Sequence, residues 1–258
     1  MASVSGFLAA AEVLEREAAV GRAAYYDELA SPAPGEAGPR LDVGCGNGYT
    51  VARWRQNGHR AFGIDRSLYR LSRWREEHPG GAPLLVADAT ALPFPGATFS
   101  LVVSSGMIEH VGVEEEPNPY RVRALPQRDT ARAAVVAEMS RVAAARGRVF
   151  LDCPNGAFPI DFWHGSSLGS FRLHPLPDVL LPTFGQLRRW SAAAGAEARL
   201  VPLGSRLRFR QIRHRWWGRL LAPAAQLAQR LLDLGIGAGL GRLLAPLLPY
   251  LVVEVRRC

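Results

Sequence analysis

The chain has no lysine; all 31 of its basic residues are arginine. That absence excludes a Schiff-base lysine and a phosphate-loop lysine. Cysteine is scarce. Cys45, Cys153 and Cys258 cannot form an even disulfide framework, and none has a C-x-x-C spacing. They read as free thiols of a reducing cytoplasm. No cluster of His, Cys and acidic residues shows metal-ligand spacing, so no metal is expected. Long apolar runs are missing too. The nearest, Leu231 to Val253, is interrupted by Asp233, Arg242, Pro246 and Pro249. A membrane-spanning helix is therefore not expected. The N-terminus has no basic region before an apolar run, so no secretory signal is expected and the reading is cytoplasmic.

What is present is an ordinary globular composition, 48% apolar and 21% charged over 258 residues. The charge is unevenly placed. Residues 1–200 hold 21 arginines and 21 acidic residues, whereas residues 201–258 hold 10 arginines against Asp233 and Glu254. The whole net charge of +8 therefore belongs to the last fifth of the chain.

Residues 7–30 read as an amphipathic helix with Val13, Leu14, Ala18 and Tyr25 on one side, and Ser31 to Gly35 as a linker. Strand and helix signals then alternate. Strands are expected at Leu41–Val43, Ala61–Asp65, Leu84–Asp88, Phe99–Ser104 and Arg148–Cys153, and helices at Tyr49–Asn57, from Ser67 to about Glu77, and at Asp129–Ala145. Short apolar strands alternating with helices predict a doubly wound, mostly parallel α/β sheet of the Rossmann-like kind. Residues 112–128 read as a solvated loop or a lid, and 154–183 as a functional loop. A helix at Phe184–Ala194, a strand at Arg199–Leu203, a helical apolar stretch at 213–248 and a closing strand at Tyr250–Val255 complete the expected order.

The most informative segment is Asp42-Val43-Gly44-Cys45-Gly46-Asn47-Gly48. A glycine turn between strand and helix lets a ligand lie against bare backbone at a helix N-terminus. Asp65 ends the next strand, where an acid can accept hydrogen bonds from both hydroxyls of a ribose. A dinucleotide site wants G-x-G-x-x-G, and its third glycine would fall at Tyr49. Asp42 would also repel a pyrophosphate. It suits a ligand with a cationic amino group, such as S-adenosylmethionine (SAM).

Leu41 to Gly48 resembles motif I of the class I SAM-dependent methyltransferases. Asp65 matches their ribose-binding acid. Ala87-Asp88-Ala89, with Leu92-Pro93-Phe94 and Phe99, matches the motif that contacts adenine. Met107-Ile108-Glu109-His110-Val111 and Glu138-Met139-Ser140-Arg141-Val142 resemble the UbiE-like, type 11 branch. The resemblance covers about residues 38–155 and departs from the pattern at Ser100, where an acid is usual. It implies a seven-stranded sheet, SAM as cofactor, and Asp42, Gly44, Cys45, Gly46, Gly48, Asp65, Arg66, Asp88, Ala89 and Ser105 as the residues that bind it.

Methyl transfer from an activated sulfonium is mostly positioning and desolvation, but a hydroxyl acceptor must lose its proton. Candidate bases are His110, beside the fourth strand, and His164 or Asp161 in Phe158-Pro159-Ile160-Asp161-Phe162-Trp163-His164. The expected reaction is methyl transfer, on oxygen, to a small or lipid-like acceptor. An RNA methyltransferase and a non-catalytic SAM-binding protein are the alternatives.

The tail leaves several readings open. From Arg199 to Arg219 there are seven arginines and no acid, followed by a leucine-rich helix carrying Arg219, Gln226, Arg230 and Asp233 on one stripe. Three readings stand: a cap on the fold, a peripheral contact of residues 199–250 with an anionic membrane surface, or RNA binding. The apolar excess and Trp216-Trp217 favour lipid over RNA. The expected organisation is a helix and linker over 1–35, a SAM-binding core over 36–200, and a basic, apolar segment with a closing strand over 201–258 of the same domain.

Overall fold

The computed structural model describes residues 4–30, 38–77, 84–117, 120–164, 171–204 and 216–257. The 31–37 linker, His78, the arginine-rich stretch 205–215 with His214, and Cys258 lie outside the described residues.

In chain order the elements are α1 (Val4–Leu29), β1 (Arg40–Val43), α2 (Tyr49–Gln56), β2 (Ala61–Asp65), α3 (Leu68–Glu77), β3 (Leu84–Val86) and β4 (Phe99–Ser105). There follow β5 (Val113–Pro117), β6 (Tyr120–Ala124), α4 (Arg128–Val142), β7 (Ala143–Pro154), β8 (Ile160–Asp161) and β9 (Arg172–Leu173). The rest are α5 (Phe184–Ala193), β10 (Ala196–Leu200), α6 (Trp216–Gly235), α7 (Gly241–Leu244) and β11 (Tyr250–Arg257). One seven-stranded sheet has the order β10-β11-β7-β4-β1-β2-β3. β1 pairs in parallel with both β2 and β4, β2 pairs in parallel with β3, and β10 and β11 are antiparallel. This is the expected Rossmann-like, mostly parallel α/β architecture.

The chain forms two compact units, residues 1–105 with 138–149, and residues 106–137 with 150–258. In the first, β1 is buried along its whole length and β4 almost so, as strands covered on both faces must be. Among the described side chains of α1 the buried ones are Ala19, Ala23 and Tyr26, spaced by four and three residues, while Val13 and Ala18 are exposed. Of the expected stripe through Val13, Leu14, Ala18 and Tyr25, the Leu14 side chain lies outside the described residues, and the rest is off by a residue because small alanines define the packed face. Asp27 of α1 pairs with Arg40 and accepts from Asn57 Nδ2 at 3.2 Å.

The long alanine-rich helix ends at Val142, earlier than expected, because Ala97 N and Thr98 N take the carbonyls of Arg141 and Val142. Its last alanines instead open β7, a case of sheet pairing overriding helix propensity.

In the second unit, a pair of strands lies within 112–128 where a solvated loop or a lid was expected. β5 and β6 form an antiparallel hairpin in which Glu114 faces Arg123 and Glu116 faces Arg121. Opposite charges across such a pair stabilise the register. The sixth strand begins three residues early, at Ala196, directly after Gly195 turns the chain with φ +67°. α5 starts with a capping box: Gln186 N donates to Thr183 Oγ1, and Thr183 N donates to Gln186 Oε1.

Candidate functional site

Four neighbouring parallel strands, in the order β4-β1-β2-β3, end at the residues assigned to the cofactor. Gly44 to Gly48 follow β1, Asp65 and Arg66 lie at the end of β2, Asp88 and Ala89 follow β3, and Ser105 ends β4. Ligands of open α/β sheets bind outside these carboxyl ends. The turn after β1 needs its glycines. Gly44, Gly46 and Gly48 have φ of +78°, +55° and +71°. At Gly48 a Cβ would also lie 2.7 Å from both Leu84 and Trp74.

Asp65 has a second job that its position in the sequence does not reveal. One carboxylate oxygen accepts from Gly46 N at 2.9 Å and the other from Ser67 N at 2.8 Å. It ties the glycine turn to the end of β2, and each oxygen retains acceptor capacity for a hydroxyl. Asp88 accepts from Thr90 N and Thr90 Oγ1, both at 2.8 Å. Asp42 is buried beneath the turn, and Arg66 and Asp88 are exposed. Cys45 is buried. Burial raises its thiol pKa well above the ordinary value, and Asp42 and Asp65 add to the effect, so it packs rather than reacts.

Glu138 and Arg141 explain their motif. Glu138 accepts from Leu92 N at 2.7 Å, and Arg141 donates to the carbonyls of Leu92 and Phe94 at 3.0 and 2.9 Å. Together they fix the loop that follows Asp88. The hydrogen bond with Arg141 lowers the Glu138 pKa.

The second unit carries the candidate bases. His110 sits on a 3₁₀ turn at Ile108–His110, and its Nδ1 meets Glu115 of β5 at 2.6 Å. His164 Nδ1 meets Asp161 at 2.9 Å, and the two imidazole centroids are 5.3 Å apart. Asp161 is fully buried and also accepts from Trp163 N at 2.9 Å and Arg172 at 3.1 Å. Burial would raise its carboxyl; the bonds from His164, Trp163 N and Arg172 prevail and bring it down to about 2. Asp161, expected as an alternative base, therefore stands behind His164 and orients it. Arg172 in turn grips Asp178 with two bonds of 3.0 and 3.1 Å.

Glu109, which reads from the sequence as a positioning group rather than the base, joins these histidines. It is 1% exposed, and Oε2 has no hydrogen-bond partner among the described residues. Burial raises its pKa, while His110 and His164 pull the other way. Arg132, also buried, donates to the main-chain carbonyls of Glu109, Val111 and Leu180, fixing the turn without reaching the Glu109 carboxylate. Glu109, His110 and His164 each bring one donor atom within 4.8 Å of the others. The expectation of no metal-type cluster is corrected here: the third member lies 54 residues from His110, so short-range spacing could not reveal it. Asn155 is structural. Its Nδ2 donates to the carbonyls of Ala245 and Leu248 at 2.8 and 2.7 Å.

Comparison with known proteins agrees with this geometry. Residues 41–151 match the family model of a methyltransferase domain, Methyltransf_11. A malonyl-[acyl-carrier protein] O-methyltransferase of Erwinia pyrifoliae is 41% identical over 66 residues, which are 26% of this chain and 25% of that protein. The match thus spans only a quarter of the relative's length. Among solved structures, the CcbJ methyltransferase of Streptomyces caelestis aligns with TM-score 0.56 at 14% identity, over 93% of this chain and 89% of that one. SAM-bound CalS10, an amino pentose methyltransferase of Micromonospora echinaspora, aligns with TM-score 0.51 at 21% identity, over 70% and 84%. Both share the fold. Residues 41–151 are thus a methyltransferase domain of the type 11 kind, whose cofactor is SAM.

Proposed function

We propose that the protein transfers the SAM methyl group to a hydroxyl oxygen of a small or lipid-like acceptor. The first unit supplies the donor-binding residues. In the second, Glu109, His110 and His164 receive the acceptor hydroxyl and promote loss of its proton. The observation that carries this reading is the convergence of two carboxylate-held imidazoles on a buried carboxylate that has an unpartnered oxygen. The oxygen's electron pair forms the new bond to the methyl carbon as the C–S bond breaks, and that bond's pair stays on sulfur. Loss of charge in this step favours a dry site.

The test is formation of S-adenosylhomocysteine and a methylated product, followed by mass spectrometry over a panel of phenols, sugars and lipid-linked alcohols. His164→Ala should lower turnover by about 10²-fold or more while SAM affinity stays within about twofold. Methylation confined to nitrogen acceptors, or full turnover in His164→Ala, would overturn the reading.

We also propose that α6 rests on an anionic lipid surface. The helix is inside out for a packed element. Trp216, Leu220, Leu227, Leu231 and Leu234 are all more than half exposed, whereas Ala222 and Gln229 are buried. At about 100° per residue those five fall in one sector of about 60°. Arg219 and Arg230, both exposed, border one edge of that sector, and exposed Leu221 lies beyond its other edge. Among the described residues no helix is long and apolar enough to cross a membrane. Co-sedimentation with phosphatidylglycerol-containing vesicles, absent with pure phosphatidylcholine, is expected, and Leu227→Glu with Leu231→Glu should abolish it. Salt-dependent RNA binding without vesicle binding, or a dimer broken by the same pair, would overturn it.

A further inference from the structure

Glu109, His110 and His164 form a donor set with a definite chemical preference. One carboxylate and two imidazoles suit a borderline divalent ion such as Zn²⁺ or Fe²⁺, and suit Mg²⁺ or Ca²⁺ poorly. The surroundings favour the same conclusion. A histidine that ligates a metal almost always gives its other ring nitrogen to a carboxylate or carbonyl, which fixes both tautomer and ring orientation. Both imidazoles have this arrangement, His110 through Glu115 at 2.6 Å and His164 through Asp161 at 2.9 Å. With Nδ1 held as a donor, Nε2 is the ring atom that carries a lone pair for a ligand.

Glu109 supplies a separate observation. A carboxylate oxygen that is buried and unpartnered is costly unless a charge or a proton donor offsets it. A proton placed on Oε2 would itself need an acceptor, and no described residue offers one there. The nearby guanidinium of Arg132 is committed to main-chain carbonyls. A cation at the focus of the three side chains satisfies Oε2 directly.

We propose that Glu109, His110 and His164 bind one borderline divalent metal ion, through the carboxylate and the Nε2 atoms, with open positions for water or the acceptor. Asp161 and Glu115 are positioning residues that act through the imidazoles. For its catalytic consequence this rests on the O-methyltransferase reading. A hydroxyl bound to the ion sheds its proton to bulk water, and the resulting oxyanion attacks the SAM methyl group with the bond changes given above.

The test uses the full chain without a polyhistidine tag, stripped with a chelator and titrated with Zn²⁺ by calorimetry and with Co²⁺ by visible absorption. One equivalent should bind, with Co²⁺ giving the ligand-field bands of a site of low coordination number. His110→Ala, His164→Ala and Glu109→Gln should each weaken binding by about 100-fold or more. Asp161→Asn should weaken it by about 10–100-fold. Unchanged SAM binding in these variants serves as the folding control, and should a variant fail it, Zn²⁺ protection of the wild-type imidazoles from diethylpyrocarbonate decides instead. Binding of less than a molar equivalent, or binding undiminished in the His110→Ala, His164→Ala double variant, would overturn the proposal. Turnover that survives a chelator but falls in His164→Ala would overturn the metal and leave the methyltransferase reading standing. Stoichiometric metal with no hydroxyl methylated would do the reverse.

Discussion

The two units differ in how they build their sites. The residues proposed to bind the donor, in the first, are held by main chain and short-range geometry: three left-handed glycines, strand ends, and an Asp65 that bonds to two backbone N–H groups. The cluster of the second is held by a relay of side chains, from Asp178 through Arg172 and Asp161 to His164, and from Glu115 to His110. A backbone-built site tolerates few residues at its turns but depends little on distant partners. A side-chain relay is open to any substitution along its length. The difference predicts where each half will break.

The largest effect is expected at the glycine turn. Gly48→Val forces a β-branched residue to φ +71° and brings its Cβ to 2.7 Å from Leu84 and Trp74. Left-handed strain and overpacking together should cost about 4 kcal/mol. SAM affinity should fall by more than about 100-fold in calorimetry. Retained SAM affinity would show that the turn is not the donor site.

Next is the relay. Asp161→Ala removes a buried carboxylate from His164 and Arg172, although Arg172 keeps its two bonds to Asp178. Breaking a buried ion pair costs about 3–5 kcal/mol, and the surviving partner puts this case at the low end, near 3 kcal/mol. A lowered melting temperature and lost turnover are expected, with SAM affinity unchanged within about twofold. A parallel loss of SAM binding would erase the contrast between the units.

A smaller effect belongs to Glu138→Gln, which weakens the grip on the loop after Asp88. Arg141 is partly exposed, so the pair is discounted for screening, and a loss of about 1 kcal/mol is expected. That corresponds to a roughly fivefold weaker SAM affinity. The Glu138 pKa is lowered in the folded chain, so its contribution is complete above the usual carboxylate range. It is lost as pH falls through the lowered folded value. The acid-side decline in SAM affinity should therefore be shallower in the variant.

The same contrast explains what could be read before the structure. The placement of Asp42 to Gly48, Asp65 and Asp88 at neighbouring strand ends was legible because a strand, a turn and a helix are contiguous in sequence, and a parallel sheet brings successive strand ends to one edge. His110 and His164 were legible as candidates. Their union with Glu109 was not, since it depends on a 54-residue separation closing in space. The hairpin at β5 and β6 was missed for another reason: its Glu and Arg residues alternate too little in hydrophobicity to mark a strand, and only their opposition across the pair shows the pattern. α6 was read with its leucines expected inward or on lipid. The packed side is the one carrying Ala222 and Gln229.

Cysteine provides a probe of equal chemistry in each unit. Cys45 lies in the glycine turn of the first, and Cys153 lies on the part of β7 that belongs to the second. Burial, followed by nearby acids, raises both thiols well above the ordinary value, so neither should react with a disulfide reagent until its surroundings open. In a Cys258→Ser background, slow labelling then reports the opening of each unit separately. SAM at ten times its dissociation constant should slow labelling of Cys45 by about tenfold, since a ligand stabilises only the closed form that binds it. Cys153 should be slowed less. Equal protection would mean that the two units open together, and the division between a backbone-held donor half and a relay-held acceptor half would then describe how the sites are built but not how they move.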